Sequence, residues 1–533
     1  MAVKGKESAK EVEKSFGGER EVLGTVVSTF EGPSPTIMDF VVNNGKVHKG
    51  MFVELDYSEG VMICRVNDVV KTNKYFERPD SVKEIGDELE RKFPTAEWEF
   101  LLGKARPLGV FKKNSEGKVV VERTSFPPSP GTKVYAAEDS RLKDFLGFDD
   151  NGLKLGRMQF HNVDVAPNLS RLLQKHLAVL ALSGAGKSVF AASLIEEILS
   201  RTKEQGQIAI VVFDIHGEYT CFGEPVQQKD SGKYVDFSSK TRVVDASKVK
   251  IAASKLDSGF LSMILPKLSS PQRRELSSII SKLSSEMKSG VGPFDLNAIK
   301  SEIMQSDLNE KTASTILATV GELEDLDLFS KIDNPSIQDL VKQGQLTVID
   351  LSRIISQRKK QIIVAYFANK LFRDRRLKRG IPPFALFLEE AHNFIPEKTA
   401  EEYAIAKGIM RTIAREGRKF GASLVIISQR PKHLDTTTLA NCNTNVILRI
   451  TNPYDLKHIA ESSEALDQSS MDLVSSLRVG EALLLGEAVN APTFFRVRMR
   501  KSQPSKHEFS LEEAARMFSA AEEASETETD SFL

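Results

Sequence analysis

His176-Leu-Ala-Val-Leu-Ala181-Leu-Ser183-Gly184-Ala185-Gly186-Lys187-Ser188-Val189-Phe190 is the stretch on which the reading of this chain turns. An apolar run leads into a loop of small residues ending Gly-Lys-Ser, and a helical pattern over 189–199 follows. That order suits anion binding: loop and helix N-terminal amides point inward, and small side chains let the backbone approach a phosphate. The spacing predicts a P-loop, with residues 183–189 around the phosphates of ATP, Lys187 on the outer phosphates and the Ser188 hydroxyl on Mg²⁺. Ala181 stands where the pattern has its first glycine.

Downstream of the loop, apolar runs at 208–213, 346–351, 384–388, 422–427, 445–450 and 481–485 alternate with helical stretches. Continuous apolar strands between helices predict a parallel sheet covered on both faces. Between about 250 and 340 no strand is evident, and Leu, Ile and Ser recur at helical spacing with Pro266, Pro271 and Pro293 as breaks. This predicts a helical insertion. Upstream the rhythm is shorter, with runs at 22–29, 37–42, 51–55, 61–70 and 118–121 separated by turn residues, which predicts a small β-barrel. Phe126-Pro-Pro-Ser-Pro-Gly131 reads as a stiff connector or strand-edge clip.

The expected organisation is a loose arm at 1–20, a barrel at 21–150, an α/β core at 151–500 and a C-terminal helix with an acidic tail at 501–533. With 533 residues the chain exceeds what one hydrophobic core holds. Lys plus Arg equals Asp plus Glu, 73 each, so any nucleic-acid partner must meet a local basic patch or a ring of subunits. Cys64, Cys221 and Cys442 form no C-x-x-C pair, as expected of buried thiols in a reducing compartment. No apolar stretch is long enough to span a bilayer and no signal peptide is evident, so a cytoplasmic protein is expected.

A P-loop needs an acidic element at the end of a neighbouring strand. Phe384-Ala-Leu-Phe-Leu-Glu389-Glu390-Ala-His392 supplies one. By order along the strand, Glu389 serves the Mg²⁺ shell through water and Glu390 polarises the attacking water. The run at 208–213 ends in Asp214-Ile-His216-Gly-Glu218-Tyr219. These groups could support the metal-bound or attacking water, or Asp214 could simply cap a turn. The run at 422–427 ends in Ser428-Gln429-Arg430-Pro431, where an amide can touch the γ-phosphate. Arg415-Glu-Gly-Arg418-Lys-Phe-Gly421 precedes it, and either arginine could serve a neighbouring subunit's ATP or simply face solvent.

With these elements in order the chain resembles the HerA family of hexameric DNA translocases, within the FtsK-like group of ATPases. The marks are the P-loop, Asp214–Tyr219, Glu389-Glu390-Ala-His392, Arg415–Gly421 with Ser428–Pro431, Leu477-Arg-Val-Gly-Glu481-Ala, and Val70-Lys-Thr-Asn-Lys-Tyr-Phe76 in the barrel. The resemblance covers residues 20 to 500. It implies a RecA-like core, a homo-hexamer and ATP-driven movement on double-stranded DNA. A NurA-type nuclease on the barrel face and a part in end resection with the double-strand-break repair nuclease complex are also implied. It assigns nucleotide binding to Lys187 and Ser188, the base to Glu390, the γ-phosphate sensor to Gln429 and the trans finger to Arg415, with Arg418 as rival. Lys175 stands where relatives often have Arg. Candidates for pore contacts are Arg273 and Arg274 in the helical insertion and the cluster Arg373, Arg375, Arg376, Lys378 and Arg379, with a solvated helix face as the alternative for either. The rivals are a related motor for protein or single-stranded DNA, and a nucleotide-gated DNA-binding scaffold. A GTP switch is disfavoured, since no Asn-Lys-x-Asp motif occurs.

Overall fold

The computed structural model describes residues 20–505, except 30–31, 44, 59, 74–75, 77–82, 84–94, 114–118, 228–229, 231, 400–402, 463–465 and 467, together with a few between 512 and 519. The expected N-terminal arm and nearly all of the acidic tail lie outside the described residues. Two compact units emerge. One comprises Met1–Asn168, Ala465–Leu477 and Glu481–Val497; the other comprises Leu169–Glu464, Arg478–Gly480 and Arg498–Leu533. The division therefore falls later than the expected 150, and two late segments return to the first unit.

The first unit is built on β1 (Val22–Val27), β2 (Met38–Val42), β3 (Phe52–Tyr57), β4 (Gly60–Asn73), β5 (Glu99–Lys113), β6 (Val119–Glu122) and β7 (Lys133–Ala136). Six of them form an antiparallel barrel in the order β2-β1-β7-β3-β4-β5, closed by pairing of β2 with β5, and β6 extends the outer side of β5. Closure leaves no edge on those six strands. Leu23, Phe40, Val53, Leu55, Met62, Cys64 and Val66 fill the interior. The Phe40 ring needs both flanking glycines, because a Cβ on Gly24 or Gly103 would lie 2.7 or 2.5 Å from it. Short strands β8 (Gly156–Met158) and β9 (Asp164–Val165) follow. The strand Glu481–Gly486 runs antiparallel to Thr493–Val497, which pairs with β8.

The second unit carries a parallel sheet. Its strands are β10 (Leu177–Leu180), β11 (Ala209–Asp214), β12 (Thr241–Asp245), β15 (Leu346–Asp350), β16 (Phe384–Leu388), β17 (Ala422–Ser428) and β18 (Thr444–Leu448). The order is β12-β15-β11-β16-β17-β10-β18. Every residue of β10, β11 and β15 to β18 is buried, which is why these segments read as unbroken apolar runs. The expected insertion is present as helices Ser258–Ile264, Ser270–Glu286, Leu296–Gln305 and Glu310–Glu324. Each starts on a capping side chain, Asp257, Ser269, Asp295 or Asn309, and Pro271 sits in the first turn of its helix. One correction applies there: β13 (Ile251–Ala252) and β14 (Phe329–Ser330) form a short parallel pair closing the insertion, too brief to leave a periodic signal. All three cysteines are buried free thiols. Among the described residues no helix is long and apolar enough to cross a membrane.

Candidate nucleotide site

Parallel strands deliver their C-terminal ends to one edge, and the ladder fixes which ends are neighbours. Leu180, the last residue of β10, lies opposite Ser428 of β17; Leu388 of β16 lies opposite Ile426, and Phe213 opposite Leu388. The P-loop, Glu389 and Glu390, Asp214, and Ser428 with Gln429 therefore share one edge, where ligands bind in such sheets.

The loop leaves β10 tied on both sides: Ala181 N–H donates to Ser428 O (3.2 Å) and Leu182 N–H to Arg449 O (3.1 Å). Gly184 and Gly186 adopt φ of 74° and 102°, a region that disfavours a side chain, and nothing lies within 4 Å of where a Gly184 Cβ would be. The helix Lys187–Leu199 has Gly186 at its N-cap with no side-chain cap, so its first-turn amides face the loop's concavity. A segment absent from the expected site leans on it too, through Gly480 N–H to Ala185 O (3.2 Å).

Lys187 Nζ pairs with Glu390 Oε1 across 203 residues of sequence. Both side chains are buried, Lys187 at 9% and Glu390 at 2% exposure. Glu390 has a left-handed backbone, φ 44°, uncommon for a non-glycine and characteristic of functional sites. Its second oxygen, Oε2, is buried without a hydrogen-bond partner and lies 3.3 Å from His392 Nδ1. The same Nδ1 lies 3.1 Å from Ser428 Oγ. Burial lowers the His392 pKa, and the Glu390 carboxylate only partly opposes that.

Glu389 points elsewhere. Its Oε2 accepts from Ile215 N–H (3.0 Å), and its Oε1 is buried without a partner. Asp214 accepts three amides of its own turn, from Gly217 (2.8 Å), Glu218 (3.1 Å) and Tyr219 (2.8 Å). Of the two readings open for Asp214, the cap of a turn is the one present. Burial, then the Asp214 and Glu218 charges, push Glu389 well above the usual carboxylate range. Burial also raises Asp214, but the amides of Tyr219, Glu218 and Gly217 oppose that shift by favouring the charged form. His216 is exposed and Glu218 half-buried on the same turn.

Among the described residues no group of three or more His, Cys, Asp or Glu could hold a metal. Mg²⁺ carried on nucleotide phosphates needs only one or two protein oxygens. Half-buried Ser188 and the unpartnered oxygens of Glu389 and Glu390 are the groups left for it or for its water. The residues present fit Mg²⁺-ATP.

The arginines do not join this site. Arg415 lies in the last turn of Lys407–Glu416, which leads into the start of β17, and Arg418 follows it; both are exposed. The seven residues of β17 separate them from the P-loop edge, and at about 3.3 Å per residue that is about 23 Å. Their motif is partly structural. A Cβ on Gly417 would lie 2.2 Å from Ala422 O, and Gly421 ends the turn at φ 64°. His176 Nδ1 accepts from Leu424 N–H (2.9 Å) and holds this corner. Arg375 donates to Phe420 O (2.6 Å) and Ile381 O (3.0 Å), so it is committed to the fold.

The expected site also lacked an anchor of the P-loop helix. Glu196, fully buried, accepts from Lys501 N–H, Ser502 N–H, Ser502 Oγ and Arg498 Nη1. A Glu-Glu pair inside an otherwise apolar helix was the signal for it.

Residues 153–371 match the family model described as "Helicase HerA, central domain". A probable helicase of Methanocaldococcus jannaschii is 29% identical over 470 residues, covering 84% of this chain and 86% of that protein. The "DNA double-strand break repair helicase HerA" of Saccharolobus solfataricus is 29% identical over 392 residues, 70% of this chain and 73% of that one. Among solved structures, VirB4 of Thermoanaerobacter pseudethanolicus aligns with 66% of this chain and 97% of its own at 16% identity, TM-score 0.47. Through its central domain and most of its length, the chain is similar to proteins named as HerA helicases.

Proposed function

We propose that the protein hydrolyses Mg²⁺-ATP to drive movement along double-stranded DNA, as a homo-hexamer in which each nucleotide is served by two neighbouring subunits. The observation that carries this reading is the division of the site. Lys187, Ser188 and Glu390 sit at one edge of the sheet, while Arg415 and Arg418 sit exposed at the other, beyond reach of their own P-loop. An arginine there serves hydrolysis only by entering a neighbour's site, which a closed ring provides for every copy.

The bound nucleotide supplies the phosphoryl group and its metal. The chain supplies the rest. Lys187 leaves Glu390 for the outer phosphates, which frees the carboxylate to accept a proton from the attacking water. His392, its Nδ1 close to both Glu390 and Ser428, stands beside that carboxylate at the strand end that leads into Gln429, the γ-phosphate sensor in this reading. The HerA names of the relatives support DNA as the track. By the same resemblance a NurA-type nuclease docks on the barrel, and the assembly works in end resection for recombinational repair beside the double-strand-break repair nuclease complex.

The test is ATP hydrolysis by the purified full chain with and without linear duplex DNA. Several-fold stimulation by duplex is expected. Turnover indifferent to duplex but stimulated by a protein or single-stranded substrate would assign the motor a different track.

A further inference from the structure

Gln357–Arg379 carries nine Lys and Arg against one Asp in a chain of zero formal net charge. Residues 361–369 in between are almost entirely buried, so the cations gather at the two ends of the helix Gln357–Arg376. At its C-terminal end the helix faces the start of the insertion across a cleft of about 300 Å³. We propose that this cleft is a phosphate-binding site that takes the backbone of the nucleic acid on which the motor acts; the inference rests on the DNA-motor reading above.

Lys255, Lys370, Arg373 and Arg379 line the cleft. Arg373 pairs with Asp257 (3.2 Å), and Lys370 (3.1 Å) and Arg379 (3.7 Å) share Asp374. Asp374 is 1% exposed, so it is a fixed anchor that orients two cations toward the opening. Lys255 is exposed and has no carboxylate partner among the described residues. Four cations face two carboxylates, an excess of two positive charges. Ser254 and Asn369 add hydrogen-bonding groups, and the edge-on pair of Phe260 and Tyr366 (centroids 5.6 Å apart) gives an apolar wall. Guanidinium forks beside an apolar wall hold phosphate better than fully hydrated cations do.

A polyanion fits better than a lone anion because the cations continue past the cleft. Arg376, paired with Glu416 (3.8 Å), and the exposed Lys378 follow it along the end of the helix. A polyanion crossing this helix end meets these cations as well, whereas a free phosphate meets only the cleft. Contacts to phosphates position the track without selecting sequence.

Duplex binding should be measured by anisotropy across a salt series, for the full chain and for a Lys255→Gln/Arg373→Gln double variant. Arg358→Gln, at the other end of the same helix, is the control. Wild type should show a steep log–log salt dependence. In the double variant the slope should shrink by about 1 to 2 for any sequence, one lost phosphate contact being about 0.9. DNA-free ATP hydrolysis and the control should be unchanged. Should the double variant fold poorly, Lys255→Gln alone, with no ion partner to lose, should still shrink the slope by about 1. An unchanged slope in a steeply salt-dependent wild type overturns the cleft as a DNA contact and leaves the motor reading intact. A wild type without salt-dependent duplex binding overturns both. Calorimetric binding of inorganic phosphate that the double variant loses while keeping its duplex affinity would assign the cleft to a small anion and overturn the proposal.

Discussion

The two edges of the parallel sheet are chemical opposites. The C-terminal edge gathers buried carboxylates, Asp214, Glu389 and Glu390, around a single buried Lys187, and leaves carboxylate oxygens without partners. The N-terminal edge gathers exposed Arg376, Arg415 and Arg418, whose only carboxylate contact among the described residues is that of Arg376 with Glu416. Unpartnered acceptors inside and unpartnered cations outside are each costly or idle alone. In the assembly proposed above, each edge supplies what the other lacks for phosphoryl transfer, and a neighbouring copy is what would bring them together.

The largest effect expected is at the acidic edge. Lys187→Ala should abolish hydrolysis, because the loop loses its mobile cation, and Glu390 loses its resting partner as well. Retention of half the wild-type turnover would show that the acidic edge is not the nucleotide edge. Next is Glu390→Gln, which should keep ATP binding and slow hydrolysis by about 10²-fold or more. Glu389→Gln should act differently, weakening Mg²⁺ dependence more than nucleotide binding. Reversed phenotypes would exchange the two roles.

The smallest expected effect concerns the fold beneath each edge. Burial pushes His161 in the first unit and His176 in the second down to about 4, from an ordinary 6.5. The unfolded chain therefore binds more protons than the folded one between those values. Stability should be full above about 6.5 and fall as pH drops toward 4, by up to roughly 3 kcal/mol per histidine. Melting temperature followed downward from neutral pH checks this, and His176→Gln should flatten the dependence. An unchanged slope in that variant would mean the ring does not stay neutral against Leu424.

Much of the acidic edge was legible because buried parallel strands announce themselves as apolar runs, and their polar C-terminal residues then fall in a row. Glu389 and Glu390 were readable in this way; the turn capped by Asp214 was readable only as an alternative. What failed to show in the sequence had physical reasons. β12, Thr-Arg-Val-Val-Asp, is an edge strand with only Val244 buried and no apolar run. β5 carries Pro107 inside fifteen residues, which reads as a break, yet Pro107 sits opposite Cys64 where the register shifts and no regular ladder bond is required. The meeting of His392 with Ser428 depends on strand order, which local pattern does not carry.

The central claim is that the basic edge of one subunit completes the acidic edge of another, and a mixing experiment tests it most directly. Arg415→Ala alone should lower turnover by about 10³-fold, as for other trans arginines. Glu390→Gln alone is also nearly inactive. Mixed rings contain interfaces where a wild-type Glu390 meets a wild-type Arg415, and neither pure mutant ring has one. Mixing the two proteins, with subunit exchange verified, should restore measurable ATP hydrolysis. A mixture as inactive as its components, despite exchange, would contradict the account and make Arg418 the next residue to test.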